Sequence, residues 1–235
     1  MHRMVTIRTE GGEVCVEPRV AVVGVGGAGC NAAGRFHEEL MPVDVIAVNT
    51  DRAALEGTHA DVRIFICRDV TKGIGTRGDA SLGKKCARVH AEEIRDALRG
   101  HDVAVIVAGM GGGTGSGAAS VVAEIAQGLN MVTMAIAIRP LAMEGRGAAA
   151  GEGLRALRSV CPGTVAVEND RMVELFPDMT IQQAFDAVND GIVRYVMKKT
   201  DDIAEAFAEE IRRVRPSESN VGEGAGGTAS AKMAV

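Results

Sequence analysis

Residues Gly109–Gly117 read G-M-G-G-G-T-G-S-G, six glycines in nine positions, between the apolar run Val103–Ala108 and a helical pattern that starts at Ala118. Glycine at that density leaves almost no side chain to pack. Such a backbone can turn sharply and present successive N–H groups to an anion, and a helix behind it adds the positive end of its dipole. The expected ligand is a phosphate chain, held at Gly111, Gly112, Gly113 and Gly115, with the hydroxyls of Thr114 and Ser116 at the points where phosphate oxygens would sit. A plain strand-to-helix turn is the alternative, but it needs only one or two glycines.

The surrounding chain alternates strand and helix. Val5–Thr9 and Val14–Glu17 alternate apolar and polar residues about Glu10-Gly11-Gly12, which predicts a hairpin extension over residues 1–17. Strands are expected at Val20–Val25, Val43–Val48, Val62–Ile66, Val103–Ala108, Met131–Ile138 and Thr164–Glu168, and helices after Asn31, over Leu82–Leu98, over Ala118–Leu129 and over Ala148–Val160. Apolar strands in this alternation imply an α/β fold, a mostly parallel sheet with helices on both faces, whose ligands sit at the carboxyl ends of the strands. Thr180 is the expected N-cap of a long helix whose stripe runs from Ile181 through Phe185 and Val188 to Val214, about 50 Å if unbroken at Thr200. Residues 18–214 form the expected main domain, and the Gly-, Ser- and Ala-rich residues 215–235 are expected to be a disordered tail.

Composition narrows the classes. The net charge is -5 with both signs interspersed, which argues against nucleic acid as a ligand. No apolar segment approaches the roughly 20 residues that span a bilayer, and Met1–Glu10 has no apolar signal core, so a cytoplasmic protein without direct membrane insertion is expected. The five cysteines, at 15, 30, 67, 86 and 161, lack C-x-x-C spacing and lie in or beside apolar segments, as free buried thiols do. The five histidines show no ligand spacing, so no zinc site is expected.

Two further motifs compete for the nucleotide. Gly24, Gly26 and Gly29 satisfy G-x-G-x-x-G between a strand and a helix, with Asp51 at the end of the next strand, as in a dinucleotide fold. An NAD-dependent oxidoreductase would leave the 109–117 turn without a task. Gly78–Lys85 approaches a P-loop but ends in Lys85 instead of Ser or Thr, and it follows a loop instead of a strand.

Taken together, Gly24–Asn31, Asn49-Thr50-Asp51, Thr71–Gly75, Gly109–Ala119, Pro140–Gly145, Asn169-Asp170 and Phe185 with Asn189-Asp190 come in an order that resembles the FtsZ branch of the tubulin superfamily. The resemblance covers about residues 18–205, and G-G-G-T-G-S-G is close to that family's signature. It implies a domain that binds GTP or GDP, with Mg²⁺ a candidate companion, and a role in cell division or cytoskeletal assembly. By resemblance, Gly26, Gly27, Ala28 and Gly29 join Gly113, Thr114 and Gly115 on the phosphates, and Asn31 and Asn189 read the base. Phe185 would stack on the base, with core packing as its alternative, while Glu144 and Asn169 resemble sugar or base contacts.

The match departs in two places. Ala148 stands where the family has an arginine, with Arg146 two residues earlier and not expected to reach, and Thr76 and Arg77 stand where it has a small residue and glycine, so Arg77 is expected to supply a phosphate-binding cation, with a solvated loop arginine as the alternative. Family members also continue into an acidic loop that activates water on the neighbouring subunit's nucleotide, and into a second domain. Neither is legible after Asp202, so the expectation is weak or partner-dependent GTP hydrolysis by a homo-oligomer or beside a full-length FtsZ-like relative. A self-assembling active GTPase using a different interface is the competing expectation.

Overall fold

In the computed structural model, residues 5–9 and 12–214 are described. Strands β1 (Val5–Thr9) and β2 (Gly12–Val16) pair antiparallel, Val5 opposite Val16 and Thr9 opposite Gly12. The main sheet opens with β3 (Val20–Val25), buried at every position, and α1 (Gly26–Glu38) follows it without an intervening loop. Next come β4 (Asp44–Asn49), α2 (Arg52–Glu56), β5 (Val62–Phe65) and the short α3 (Arg68–Thr71). They are followed by α4 (Ala80–Val89), α5 (Ala91–Leu98), β6 (Val103–Gly109) and α6 (Gly113–Gly128). Then β7 (Val132–Arg139), α7 (Gly147–Val160), β8 (Val165–Glu168), α8 (Asn169–Leu175) and α9 (Ile181–Val214) complete the order.

The six-stranded sheet runs β5-β4-β3-β6-β7-β8 with every pair parallel. The chain steps outward from β3 through β4 and β5, then returns to the other side of β3 with β6. That reversal makes the carboxyl ends of β3 and β6 neighbours and opens a crevice between their following loops, where ligands of such sheets bind. One face of the sheet is sealed by α4, α5, α6 and α7, whose Cys86, Ile94, Val122 and Leu157 pack with Ile46, Ile106 and Ala135. Gly83, from the apparent P-loop, is the point where α4 crosses α6, and a Cβ there would collide with the carbonyl of Gly113. That glycine serves helix packing.

Several elements differ from expectation for local reasons. Both glycine stretches are shorter as loops, because helix begins at Gly26 and Gly113. The helix expected over 82–98 divides at His90, whose Nε2 accepts the Cys67 N–H at 2.9 Å while Nδ1 meets Glu93 at 3.0 Å. Thr180 starts α9 through a reciprocal pair, its Oγ1 accepting from Gln183 N at 3.2 Å and Gln183 Oε1 accepting from Thr180 N at 2.8 Å. The helix is unbroken at Thr200, but Ile181 on the expected apolar stripe is 47% exposed.

The cysteine expectation is corrected. Cys67 and Cys86 form a disulfide with their Cα atoms 5.1 Å apart, Cys15 is exposed, and only Cys30 and Cys161 are free and buried. The pair joins the end of the β5 segment to α4 across a separation of 19 residues, a proximity that no local spacing reveals.

The described chain divides into two compact units, one holding Pro18–Thr200 and the other combining the hairpin strands with α9 from Asp201 to Val214. In the second unit Val5 and Val16 bury against Ala204 and Ala208, flanked by Phe207 and Ile211. The expected tail, residues 215–235, lies outside the described residues, as do Glu10 and Gly11 of the hairpin turn. Among the described residues no helix is long and apolar enough to cross a membrane.

Candidate functional site

The helices α1 and α6 start without side-chain caps. Their N-cap residues are Val25 and Gly112, whose side chains offer no oxygen to accept from the first turn. Helices α2 and α4 are closed, by contrast, with Asp51 accepting from Ala54 N at 3.0 Å and Asp79 from Leu82 N at 2.9 Å. The first N–H groups of a helix have no partner within it, and they carry the positive end of the macrodipole. In α1 and α6 these ends converge on one cleft of about 730 Å³ at the carboxyl edge of the sheet. Gly26, Gly27 and Ala28 line it from α1, and Gly112, Gly113, Thr114 and Gly115 from α6.

Asn49 and Asp51 form the next wall. Asn49 Oδ1 accepts from Thr50 N at 2.8 Å and Asp51 N at 3.2 Å, which holds the turn after β4. The Thr50 and Thr114 hydroxyls meet at 2.6 Å and tie that turn to α6. Thr76 and Arg77 reach the same cleft from the segment between α3 and α4, Arg77 with φ +52°. On the opposite side lie Glu144, Arg146, Arg139 and Asn169. Glu144 Oε1 accepts from Leu141 N at 2.9 Å, and its Oε2 stands 3.8 Å from the Arg146 guanidinium.

Asn31, Phe185 and Asn189 line the remaining end. Phe185 is only half-buried and borders the cleft, so core packing does not describe it. Beside it Arg35 pairs with Asp190 at 2.8 Å and joins α1 to α9. Hydrogen bonds that Arg35 donates to Asp190, then to Glu38, hold its guanidinium above its ordinary pKa.

Gly29, Gly111 and Ser116 do not line the cleft. Gly29 turns toward the sheet, where a Cβ would collide with the Val107 carbonyl. Ser116 Oγ accepts the Gly111 N–H at 2.9 Å, so this hydroxyl closes the turn from behind instead of facing the cleft. Sequence reasoning passed over Arg139 and the Asn49 amide as site groups, and Arg146, not expected to reach, lines the cleft. The signal for Arg139 was its place at the carboxyl end of a strand; for Arg146 it was proximity to Glu144.

Buried polar atoms point the same way. Among the described residues, side-chain atoms buried without a partner are Asn49 Nδ2, Arg95 Nε, Arg139 Nε and Asn169 Oδ1, and all but Arg95 belong to residues lining this cleft. An unpaired buried polar group costs about 1–3 kcal/mol, so such a cluster fits a polar occupant that pairs with it.

An open parallel sheet with two uncapped, glycine-led helices at its switch point defines a doubly wound α/β domain whose ligand site lies between those helices. Residues 19–177 match the Tubulin/FtsZ family, GTPase domain, and the chain belongs to that family. It is 38% identical over 189 residues to cell division protein FtsZ 1 of Pyrococcus furiosus, covering 79% of this chain and 51% of the relative. Among solved structures, the empty FtsZ dimer of M. jannaschii aligns with a TM-score of 0.74 at 35% identity, covering 79% of this chain and 55% of that one. A GTPγS-bound protofilament of CetZ2 from Haloferax volcanii aligns with a TM-score of 0.70 at 28% identity, covering 79% and 59%. The chain thus spans about half the length of the curated relatives it matches.

Proposed function

We propose that this chain binds GTP and GDP in the cleft between α1 and α6 and works in cell division or cytoskeletal assembly in the cytoplasm. The convergence of two uncapped helix N-termini on one cleft carries the reading. A phosphate chain would accept from the first-turn N–H groups of Gly27, Ala28, Gly113, Thr114 and Gly115, and Asn49 Nδ2 offers a further donor. Arg77 adds a cation at the terminal phosphate, and Mg²⁺ would be held chiefly by phosphate oxygens. Asn31 and Asn189 read guanine's mixed donor and acceptor edge, Phe185 stacks on the base, and Glu144 and Asn169 meet the sugar.

Hydrolysis by this chain alone is slow in this reading. Attack on the terminal phosphate needs a group that orients water. The carboxylates lining the cleft already hold partners: Glu38 pairs with Arg35 and His59, Asp51 caps α2, Glu144 accepts from Leu141, and Asp186 accepts from Gln182. A full-length FtsZ-like relative would bring an acidic group that orients the water. Identification of the nucleotide that copurifies tests binding: guanine nucleotide is expected, and protein that neither carries nor takes up GTP or GDP overturns the reading. Phosphate release should be slow without a partner; brisk release by the unassisted monomer contradicts that part.

The second reading, a self-assembling active GTPase, is favoured by the protofilament form of the similar CetZ2. Electron microscopy with a slowly hydrolysed GTP analogue separates the two, because only the second reading expects filaments of this chain alone.

A further inference from the structure

We infer that the Cys67–Cys86 disulfide is a redox-sensitive clamp on the segment that carries Thr76 and Arg77 to the cleft, and that its reduction weakens the hold on the nucleotide. The inference rests on the guanine-nucleotide reading above and adds a means of regulating that site. Cys67 stands at the start of α3, its carbonyl accepting from Val70 N at 3.1 Å and Thr71 N at 3.0 Å. Cys86 lies fully buried in α4, so the bridge closes a ring around residues 68–85. Within that ring Gly75, Thr76, Arg77 and Gly78 line the cleft.

The backbone of this segment is held in place, not relaxed. Cys67, Lys72 and Arg77 take φ of +57°, +50° and +52°, three of the five non-glycine residues with positive φ among those described. Such positions cost energy and persist where the surroundings over-determine them. At the head of the segment those surroundings are the bridge and His90, whose Nε2 accepts the Cys67 N–H. Further along, Thr71 Oγ1 and Gly75 N donate to the Thr50 carbonyl at 3.1 and 3.3 Å, and Arg52 N donates to the Gly73 carbonyl at 3.0 Å. With the bridge open these hydrogen bonds remain, but the covalent tie is gone and the strained positions are free to relax. In the cytoplasm proposed above, a disulfide is opened by dithiols. One thiolate of the dithiol attacks the sulfur of Cys67, which is half-buried, in preference to that of the fully buried Cys86. The S–S bond breaks, and Cys86 leaves as a thiolate that takes up a proton. The second sulfur of the dithiol then displaces Cys67 from the mixed disulfide, and the Cys67 thiolate takes up the other proton. An electron pair has passed to the protein, and the dithiol ends as a disulfide.

The test measures GTP affinity and amide hydrogen exchange of the unaltered protein before and after complete reduction with dithiothreitol, then of the double variant Cys67→Ser, Cys86→Ala. Reduction should speed exchange over residues 68–79 and weaken GTP binding about threefold or more, the loss expected when the binding-competent arrangement falls to roughly a third of the population. The double variant should show the weaker affinity under both conditions. Equal GTP affinity of the unaltered protein before and after reduction overturns the inference while leaving guanine-nucleotide binding intact. A response to dithiothreitol that persists in the double variant also overturns it, because another thiol would then be the cause. Protein that binds no guanine nucleotide in either state overturns this inference together with the proposed function.

Discussion

A Cβ placed on Gly26 would lie 2.8 Å from the backbone nitrogen of Gly115. The first turns of α1 and α6 therefore touch backbone to backbone, and Gly26 holds φ +72°, a region that L side chains rarely adopt. A phosphate chain seated against one turn is necessarily beside the other.

Gly26→Ala should destabilise the protein by about 1–3 kcal/mol, combining backbone strain with overpacking, read as a lower urea midpoint. Gly27→Ala tests the ligand instead, since a Cβ there meets nothing within 4 Å. Its midpoint should hold or rise slightly, and GTP affinity should fall about tenfold, roughly 1.4 kcal/mol. Unchanged affinity in Gly27→Ala would remove α1 from the phosphate site.

Arg77→Ala should weaken GTP binding by about tenfold and GDP binding less, the loss of one charge-assisted contact. Nucleotide titration checks it. If affinity and the GTP-over-GDP preference both stay as they are, Arg77 is a loop cation and not a phosphate ligand.

Ellman titration of unreduced native protein should detect Cys15 rapidly and leave Cys30 and Cys161 silent, with the latter two appearing in denaturant. The Cys67 and Cys86 thiols should appear only after reduction; five thiols in denaturant without reductant would contradict the pairing. Burial pushes the Cys30 thiol up to about 12 from 9.0, against weaker pulls from the Val48 carbonyl and Thr58. Below pH 9 both folded and unfolded thiols are protonated and stability is unaffected. As pH rises from 9 toward 12 the unfolded thiol ionises first, so stability falls, by up to about 1.4 kcal/mol per pH unit. Urea midpoints at pH 8 and pH 10 for the unaltered protein and Cys30→Ala should show a smaller drop in the variant.

Asp190→Asn should cost no more than about 1 kcal/mol, because its pair with Arg35 is partly exposed, and the loss should shrink in high salt. Because the pair braces α1 against α9 beside Asn31 and Asn189, guanine-nucleotide affinity should fall with it. A calorimetric titration showing unaltered GTP affinity in Asp190→Asn would separate the brace from the base-binding end.

Much of this domain was legible from local pattern. Val20–Val25 and Val103–Ala108 declared buried strands by unbroken apolar character, and the Thr180 cap marked the start of α9. Glycine density marked the turns, because a backbone that must approach another group closely cannot carry a Cβ. The break at His90 was illegible, since its cause is a hydrogen bond to Cys67, remote in sequence. The Cys67–Cys86 pair was hidden for the same reason.

By itself the sequence determined which backbone segments were free of side chains and which residues bore amides, guanidinium groups and hydroxyls. Tertiary structure alone decided which of them meet. The return of β6 to the side of β3 opposite β4 makes one cleft of two separate turns, and helix direction turns Ser116 back to Gly111 while Arg139 and Asn169 keep unpaired atoms beside the cleft. The physical reason is that strand order and helix rotation are fixed by burying the whole apolar core at once, a balance over residues far apart in the chain that no local window contains.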